Sequence, residues 1–132
     1  IKPGTVTNHV SAHWDIFPTL CEVTGKAIPQ NIDGISFLPV LLGKNNQRQH
    51  KYLYWEFHER NGARAIRLEN WKIVQRNLKR QPNPPIEIYD LSTDLGETKN
   101  LGGKKPELVK NALKIFKEAH EPSPIWKMRW EQ

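Results

Sequence analysis

Cysteine and methionine each occur once in these 132 residues, and acidic residues are outnumbered by basic ones, 14 against 20. A lone Cys21 excludes an internal disulfide framework and any multi-cysteine zinc site. It sits within an apolar helical pattern, where a buried and inert thiol is expected. Long apolar runs are missing too. Nothing approaches the roughly 18–20 residues that cross a bilayer, so no membrane span is expected. No apolar leader precedes the first structured segment. The opening Ile1-Lys2-Pro3-Gly4 reads as a passage entered partway, so the chain is expected to be a piece of a longer one.

The usual marks of self-contained chemistry are also missing. The five histidines, His9, His13, His50, His58 and His120, form neither an H-x-x-x-H nor an H-E-x-x-H pattern, which argues against a zinc site. Gly102-Gly103 before two lysines is turn chemistry rather than a phosphate loop. No G-x-S-x-G nucleophile elbow occurs, and Asp33-Gly34 lacks the further acidic ligands of a calcium loop. No catalytic residue and no metal ligand is therefore expected in this chain.

What is present fits a small soluble globular domain, 37% hydrophobic and 26% charged, with room for a single core. The net charge of +6 draws anions of any kind. The cations gather mainly at Lys72, Arg76, Lys79 and Arg80, then at Lys104, Lys105 and Lys110. Tryptophan beside these basic residues could suit single-stranded nucleic acid. A strand followed by a basic loop writes the same string, and no RNP-like motif, helix-turn-helix or zinc finger accompanies it. No nucleic-acid partner is expected.

Along the chain, Asp15 reads as the N-cap of a short helix with Pro18 in its first turn and Gly25 at its end. Ile16, Phe17, Leu20 and Val23 recur at helical spacing, which predicts one buried face. A loop with Pro29 and Asp33-Gly34 follows, then one or two helical turns from Phe37 to Leu42 and a polar, exposed loop over 44–49. The aromatic run from Tyr52 predicts a strand with Tyr52, Tyr54, Glu56 and His58 on one face. Asn61-Gly62 is a hairpin signal, leading to strands at Arg64–Leu68, Trp71–Arg76 and, after a proline-rich connector, Ile86–Leu91. Pro106 opens a helix to Ala119 whose stripe is Leu108, Ala112, Ile115, Phe116 and Ala119. Trp126 and Trp130 in the closing tail imply that it packs on something. The expected class is α+β: about four antiparallel strands with a C-terminal helix packed on the sheet, plus a helical N-terminal segment.

Two constellations remain as candidates for binding. His58-Glu59-Arg60 stands at the hairpin tip beside Trp55 and Arg64. It is either a polar tip or a contact for a sulfate or anionic sugar through charge-assisted hydrogen bonds. His13-Trp14-Asp15 reads as structure, with Asp15 as helix cap.

The order of the motifs is more specific than any one of them. Asp15-Ile-Phe-Pro-Thr-Leu20, Gly25, Asp33-Gly-Ile-Ser-Phe-Leu38 and Leu41-Leu42-Gly43 resemble a passage late in type I sulfatases of the alkaline-phosphatase-like superfamily. Tyr54-Trp55-Glu56-Phe57-His58-Glu59, Ala65-Ile66-Arg67 and Trp71-Lys72 are similar to that family's hairpin and its R-x-x-x-W-K pattern. Tyr89-Asp90-Leu91, Asp94, Glu97 and Asn100-Leu101 match its Y-D-L-x-x-D-P-x-E-x-x-N-L signature, with Leu95 in place of the usual proline. The likeness runs from about Lys2 to the C-terminal helix.

The resemblance implies a C-terminal fragment of a sulfatase, or arylsulfatase, that hydrolyses sulfate esters of a sulfated carbohydrate or an aryl sulfate. Residues 1–49 would close the large α/β catalytic domain and its linker, and 50–132 would form the antiparallel sheet-plus-helix subdomain. Calcium and a formylglycine, made from the Cys or Ser of a [CS]-x-P-x-R motif, belong to the full-length parent. Cys21 stands in Leu-Cys-Glu-Val-Thr, which is not that motif, so the fragment alone is not catalytic. The residues that carry over are His58, Glu59 and Arg60, as substrate contacts. The resemblance further implies packing on the missing N-terminal catalytic domain, an exposed docking surface through which the isolated piece could form a homodimer, and a periplasmic or secreted location. Two alternatives stay open: a phosphonate or phosphate monoester hydrolase of the same superfamily, and a stand-alone basic module binding anionic glycans.

Overall fold

The computed structural model describes residues 1–127. The chain forms two compact units, Ile1–Lys51 and Tyr52–Gln132, each considered by itself. Trp130 and Arg129 lie outside the described residues.

In the first unit a 3-10 turn at His13–Asp15 runs into helix α1 (Ile16–Val23), and a single turn, α2 (Leu38–Leu41), follows the loop. Asp15 is buried, but its carboxylate does not cap α1 as the sequence led us to expect. One oxygen accepts the Ala12 N–H at 2.7 Å. The other accepts the Ile35 N–H at 2.8 Å and lies 2.8 Å from His50 Nε2. A single carboxylate thereby ties together three stretches of a segment that has little apolar core. Thr19 adds a second tie, accepting the Phe37 N–H at 3.0 Å and donating to the Asp15 carbonyl at 2.7 Å. Gly34 is required by contact, because a Cβ there would sit 2.3 Å from the Trp14 carbonyl oxygen.

The predicted buried face of α1 is corrected by the structure. Pro18 and Thr19 are the helix's buried residues, while Phe17, Leu20 and Val23 are 54%, 56% and 58% exposed. The polar ties of Asp15 and Thr19 set which side turns inward, and they leave the apolar stripe outside. Cys21 lies within α1 and is half-buried rather than buried. The loop over 44–49 is exposed as expected, with Gln47 half-buried. Gln47 takes the Val40 N–H at 3.1 Å and donates to the Ser36 carbonyl at 2.9 Å, which holds α2 in place.

The second unit is the expected α+β arrangement. Strands β1 (Leu53–Phe57), β2 (Ala63–Leu68), β3 (Trp71–Arg76) and β4 (Ile86–Asp90) form one antiparallel meander in that order. The register pairs Glu56 with Arg64, Arg64 with Gln75, and Ile66 with Ile73. Side chains alternate across a strand, so Tyr54, Glu56, Arg64, Ile66, Ile73, Gln75 and Ile88 share one face. Helix α3 (Pro106–Ala119) covers it, placing Ala112, Ile115 and Phe116 against Ile66, Ile73 and Ile88 in a fully apolar core.

The segment between β4 and α3 shows what its signature residues do. Asn100 accepts the Ile88 and Gly102 N–H groups, and the Leu101 N–H bonds the Ile88 carbonyl at 2.8 Å, which satisfies the open edge of β4. Asp94 accepts N–H bonds from Thr98 and Lys99, closing the acidic turn. Leu95 is 84% exposed beside it, so the turn is held by Asp94 and not by the residue where proline is usual.

Candidate functional site

The connection from β1 to β2 is the five-residue loop 58–62, longer than a two-residue Asn-Gly turn. Its left-handed residues are Arg60 and Gly62, with φ of 53° and 68°. The Gly62 N–H closes the loop on the Glu59 carbonyl at 3.0 Å. Asn61 and Gly62 also hold the chain that leaves β3: their carbonyls accept the Lys79 and Leu78 N–H groups at 2.8 and 3.2 Å. The Asn61 side chain accepts from Arg80 Nε at 2.8 Å. A Cβ on Gly62 would stand 3.3 Å from Leu78, so glycine there both turns the loop and admits the neighbouring strand end.

This junction brings Lys79 beside the hairpin tip. His58, Glu59 and Arg60, together with Lys79 and the segment from Pro124 to Lys127, line a cavity of about 430 Å³. Trp126, on its rim, is 64% exposed. Sequence reasoning had named the three hairpin residues. It did not place Lys79 or Trp126 there, for which the local signals were the glycine of the hairpin and one of the two tryptophans in the tail.

Beneath the tip lies a carboxylate that holds the histidine in place. Glu56 Oε2 is 3.1 Å from His58 Nε2, and Oε1 is 2.6 Å from His120 Nδ1. The Tyr54 hydroxyl donates to Oε1 as well. Burial pushes the Glu56 carboxyl up, but the hydrogen bonds from Tyr54, His120 and His58 outweigh it, so Glu56 titrates below the ordinary carboxylate range. An ionised carboxylate only accepts, so the histidine nitrogens facing it carry hydrogens. His58 Nδ1 is buried and meets no hydrogen-bond partner among the described residues.

Burial and Glu56 together push the Tyr54 hydroxyl far up, which keeps it a donor at any working pH. Arg64, next along the same face, stacks its guanidinium 4.1 Å from the Phe116 ring centre and donates to Gln75 Oε1 at 2.9 Å. Burial lowers its pKa against the opposing pull of Tyr54 and Glu56. The alternation along β1 placed Tyr54, Glu56 and His58 on one face. His120 joins them from the far end of α3 and leaves no local trace of doing so.

Several of the basic residues noted in the sequence are engaged elsewhere. Lys72 pairs with Glu97 at 2.5 Å and Arg76 with Glu87 at 3.1 Å, which breaks up the basic string along β3. Among the described residues no group of three or more His, Cys, Asp or Glu side chains could hold a metal ion. No metal-assisted step is derived from this chain. Nor is any helix among the described residues long and apolar enough to cross a membrane. What the cavity offers is cationic side chains, an oriented histidine and an exposed indole.

The described residues thus form a four-stranded meander under one long helix, with a cavity at its first hairpin. The profile of the N-sulphoglucosamine sulphohydrolase C-terminal family matches residues 1–121, and the chain belongs to that family. It is 30% identical to an ulvan-active sulfatase from Formosa agariphila, over 89% of this chain and 30% of that protein. The solved structure of a 2-O GAG sulfatase superposes with a TM-score of 0.68 at 28% identity, covering 80% of this chain and 23% of that one. A phosphonate monoester hydrolase from Agrobacterium radiobacter shares the fold, with a TM-score of 0.63 at 24% identity over 84% of this chain and 25% of that one. The chain thus spans less than a third of the length of the relatives it matches.

Proposed function

We propose that this chain is the C-terminal part of a sulfatase that hydrolyses sulfate esters of a sulfated carbohydrate, and that His58, Glu59 and Arg60 contact the substrate. The observation that carries the reading is the cavity at the hairpin tip, where those three residues converge in a chain matched by a sulfatase C-terminal family along nearly its whole length. Calcium and a formylglycine nucleophile, which that family implies, would be held by the rest of the protein. Such a pair supplies the preorganised positive charge and the attacking oxygen that sulfate transfer needs. This chain's own contribution is to bind and orient the sugar, with His58 fixed by Glu56.

Residues 1–49 complete the large catalytic domain in this reading, and the outward stripe of α1 docks on it. Exposed apolar side chains in a row are costly unless covered, and α1 presents four, Ile16, Phe17, Leu20 and Val23. A periplasmic or secreted location follows from the same reading.

The test is made in the longer protein. Arg60→Ala and His58→Ala should each lower kcat/KM on a sulfated saccharide by about 10- to 100-fold, the worth of one lost charge-assisted contact. Unchanged kinetics in both variants would remove these residues from the substrate site. The coding sequence in frame upstream of Ile1 tests the enzyme class: a [CS]-x-P-x-R passage is expected, and a threonine at its first position would count against a sulfatase.

A further inference from the structure

We infer that Glu56 and His120 are positioning residues for the hairpin-tip cavity, one carboxylate fixing two walls of it at once. Oε2 of Glu56 meets His58 on the hairpin, and Oε1 meets His120, from which the tail segment that lines the same cavity departs. The inference rests on the sulfatase reading above and deepens it by naming what holds the substrate contacts in place.

The cavity is built from stretches of chain that lie far apart in sequence. His58, Glu59 and Arg60 come from the loop after β1, and Pro124 to Lys127 come from the segment after α3. The strand ladder does not bring these two together, because β1 is an edge strand whose partner is β2. Glu56 spans the gap. It stands on β1 two residues before His58, with its backbone held opposite Arg64. Its Oε2 lies 3.1 Å from His58 Nε2. His120 Nδ1 donates to Oε1 at 2.6 Å, and the Tyr54 hydroxyl donates to the same oxygen. His120 is where α3 gives way to the tail, its backbone already extended with φ of −76° and ψ of 124°. The side chains of Glu56, His58 and His120 are all largely buried, so water competes weakly for these bonds.

What is set at His120 carries to the cavity because the chain between is stiff. Among the five residues from Glu121 to Ile125, Pro122 and Pro124 have a fixed φ. The Ser123 hydroxyl then accepts the N–H groups of Ile125 and Trp126 at 3.3 and 3.1 Å, a local turn that places Trp126 relative to the prolines. Holding the end of α3 on the sheet needs none of this polarity. Apolar side chains do that without desolvating a charge, and Ile115 and Phe116 already supply them one turn earlier. A carboxylate between two imidazoles fixes direction as well as distance, which is what a binding site requires of the residues behind it.

The test is made in the longer protein, with kinetics on a sulfated saccharide and with isotope-labelled tryptophan, the Trp126 indole signal being assigned through Trp126→Phe. His120→Ala releases the tail wall alone. It should raise KM about tenfold and leave kcat within about twofold, the mark of lost binding rather than lost chemistry. It should also move the Trp126 indole resonance. His120→Asn, whose amide N–H takes the place of Nδ1, should return both KM and the resonance to the wild-type values. Glu56→Ala releases both walls and should raise KM further; if that variant fails to fold, the two His120 variants decide alone. An unmoved indole and an unchanged KM in His120→Ala would overturn the inference. So would Asn behaving as Ala does, because the loss would then come from missing bulk and not from the bond. Normal kinetics in His120→Ala beside an impaired Arg60→Ala would sink the positioning role and spare the sulfatase reading. A moved indole in His120→Ala, with Arg60→Ala and His58→Ala both unimpaired, would sink the substrate site and spare the anchoring.

Discussion

Helices α1 and α3 are both amphipathic by sequence, yet they treat their apolar stripes in opposite ways. In α3, Ala112, Ile115 and Phe116 are buried against Ile66, Ile73 and Ile88. In α1, Phe17, Leu20 and Val23 face outward, and the buried side is carried by Pro18, Thr19 and the Asp15 that precedes it. A periodic pattern shows that a face wants covering; it does not say by what. The second unit brings its own sheet to cover α3. The first has no sheet, and polar ties around Asp15 and Thr19 fix its loops instead. Apolar burial therefore dominates the stability of one unit, and a few buried hydrogen bonds that of the other.

The largest expected effect is in the apolar unit. Phe116→Ala removes a fully buried ring that also carries the Arg64 guanidinium, and it should cost about 3–5 kcal/mol. Amide exchange at Ile88 reads that loss, and Ile35 should be untouched. Asp15→Ala strikes the polar unit. It strands the Ala12 and Ile35 N–H groups together with His50, at about 2–3 kcal/mol for orphaned buried groups. Here exchange at Ile35 should quicken while Ile88 holds. If each variant loosened both units equally, the contrast between them would not stand.

A smaller effect concerns pH. Glu56 titrates low in the folded chain, because Tyr54, His120 and His58 together outweigh its burial. A depressed folded pKa contributes stability that is present above the unfolded value and is lost as pH falls through the folded one. The second unit should therefore weaken as pH drops below the ordinary glutamate range. Glu56→Gln should flatten that part of the acid-unfolding profile. An unchanged profile would mean that Glu56 does not carry the acid loss.

Much of the second unit was legible because its signals are local. β3 and α3 run over the residues that alternation and Pro106 indicated, Trp71–Arg76 and Pro106–Ala119. The hairpin was legible as a turn but not as a five-residue loop, since the residue in the left-handed region before Gly62 is Arg60, an unlikely choice by propensity. Asp15 misled because a carboxylate before a helix resembles a cap, whereas its partners, Ile35 and His50, lie 20 and 35 residues on. The candidate site divides along the same line. His58, Glu59 and Arg60 are consecutive and could be read together. Lys79 arrives through main-chain bonds to Asn61 and Gly62, and His120 reaches Glu56 across 64 residues. Alternation along one strand cannot report what a helix end will lay against it.

The smallest effect on stability is expected from the residue that tests the comparison most directly. Leu20 is more than half exposed on α1, so Leu20→Glu should change the stability of the chain by no more than about 0.5 kcal/mol. Its consequence should appear between molecules. If the outward stripe is a docking face, the isolated chain hides it by pairing, and light scattering should show dimers that Leu20→Glu returns to monomers. The equivalent change on α3, Ile115→Glu, would bury an unpaired charge and unfold the second unit instead. In the longer protein, with the stripe covered, Leu20→Glu should become destabilising. A wild-type chain that is strictly monomeric, together with a longer protein indifferent to Leu20→Glu, would leave α1 an ordinary surface helix and remove the docking role from its apolar stripe.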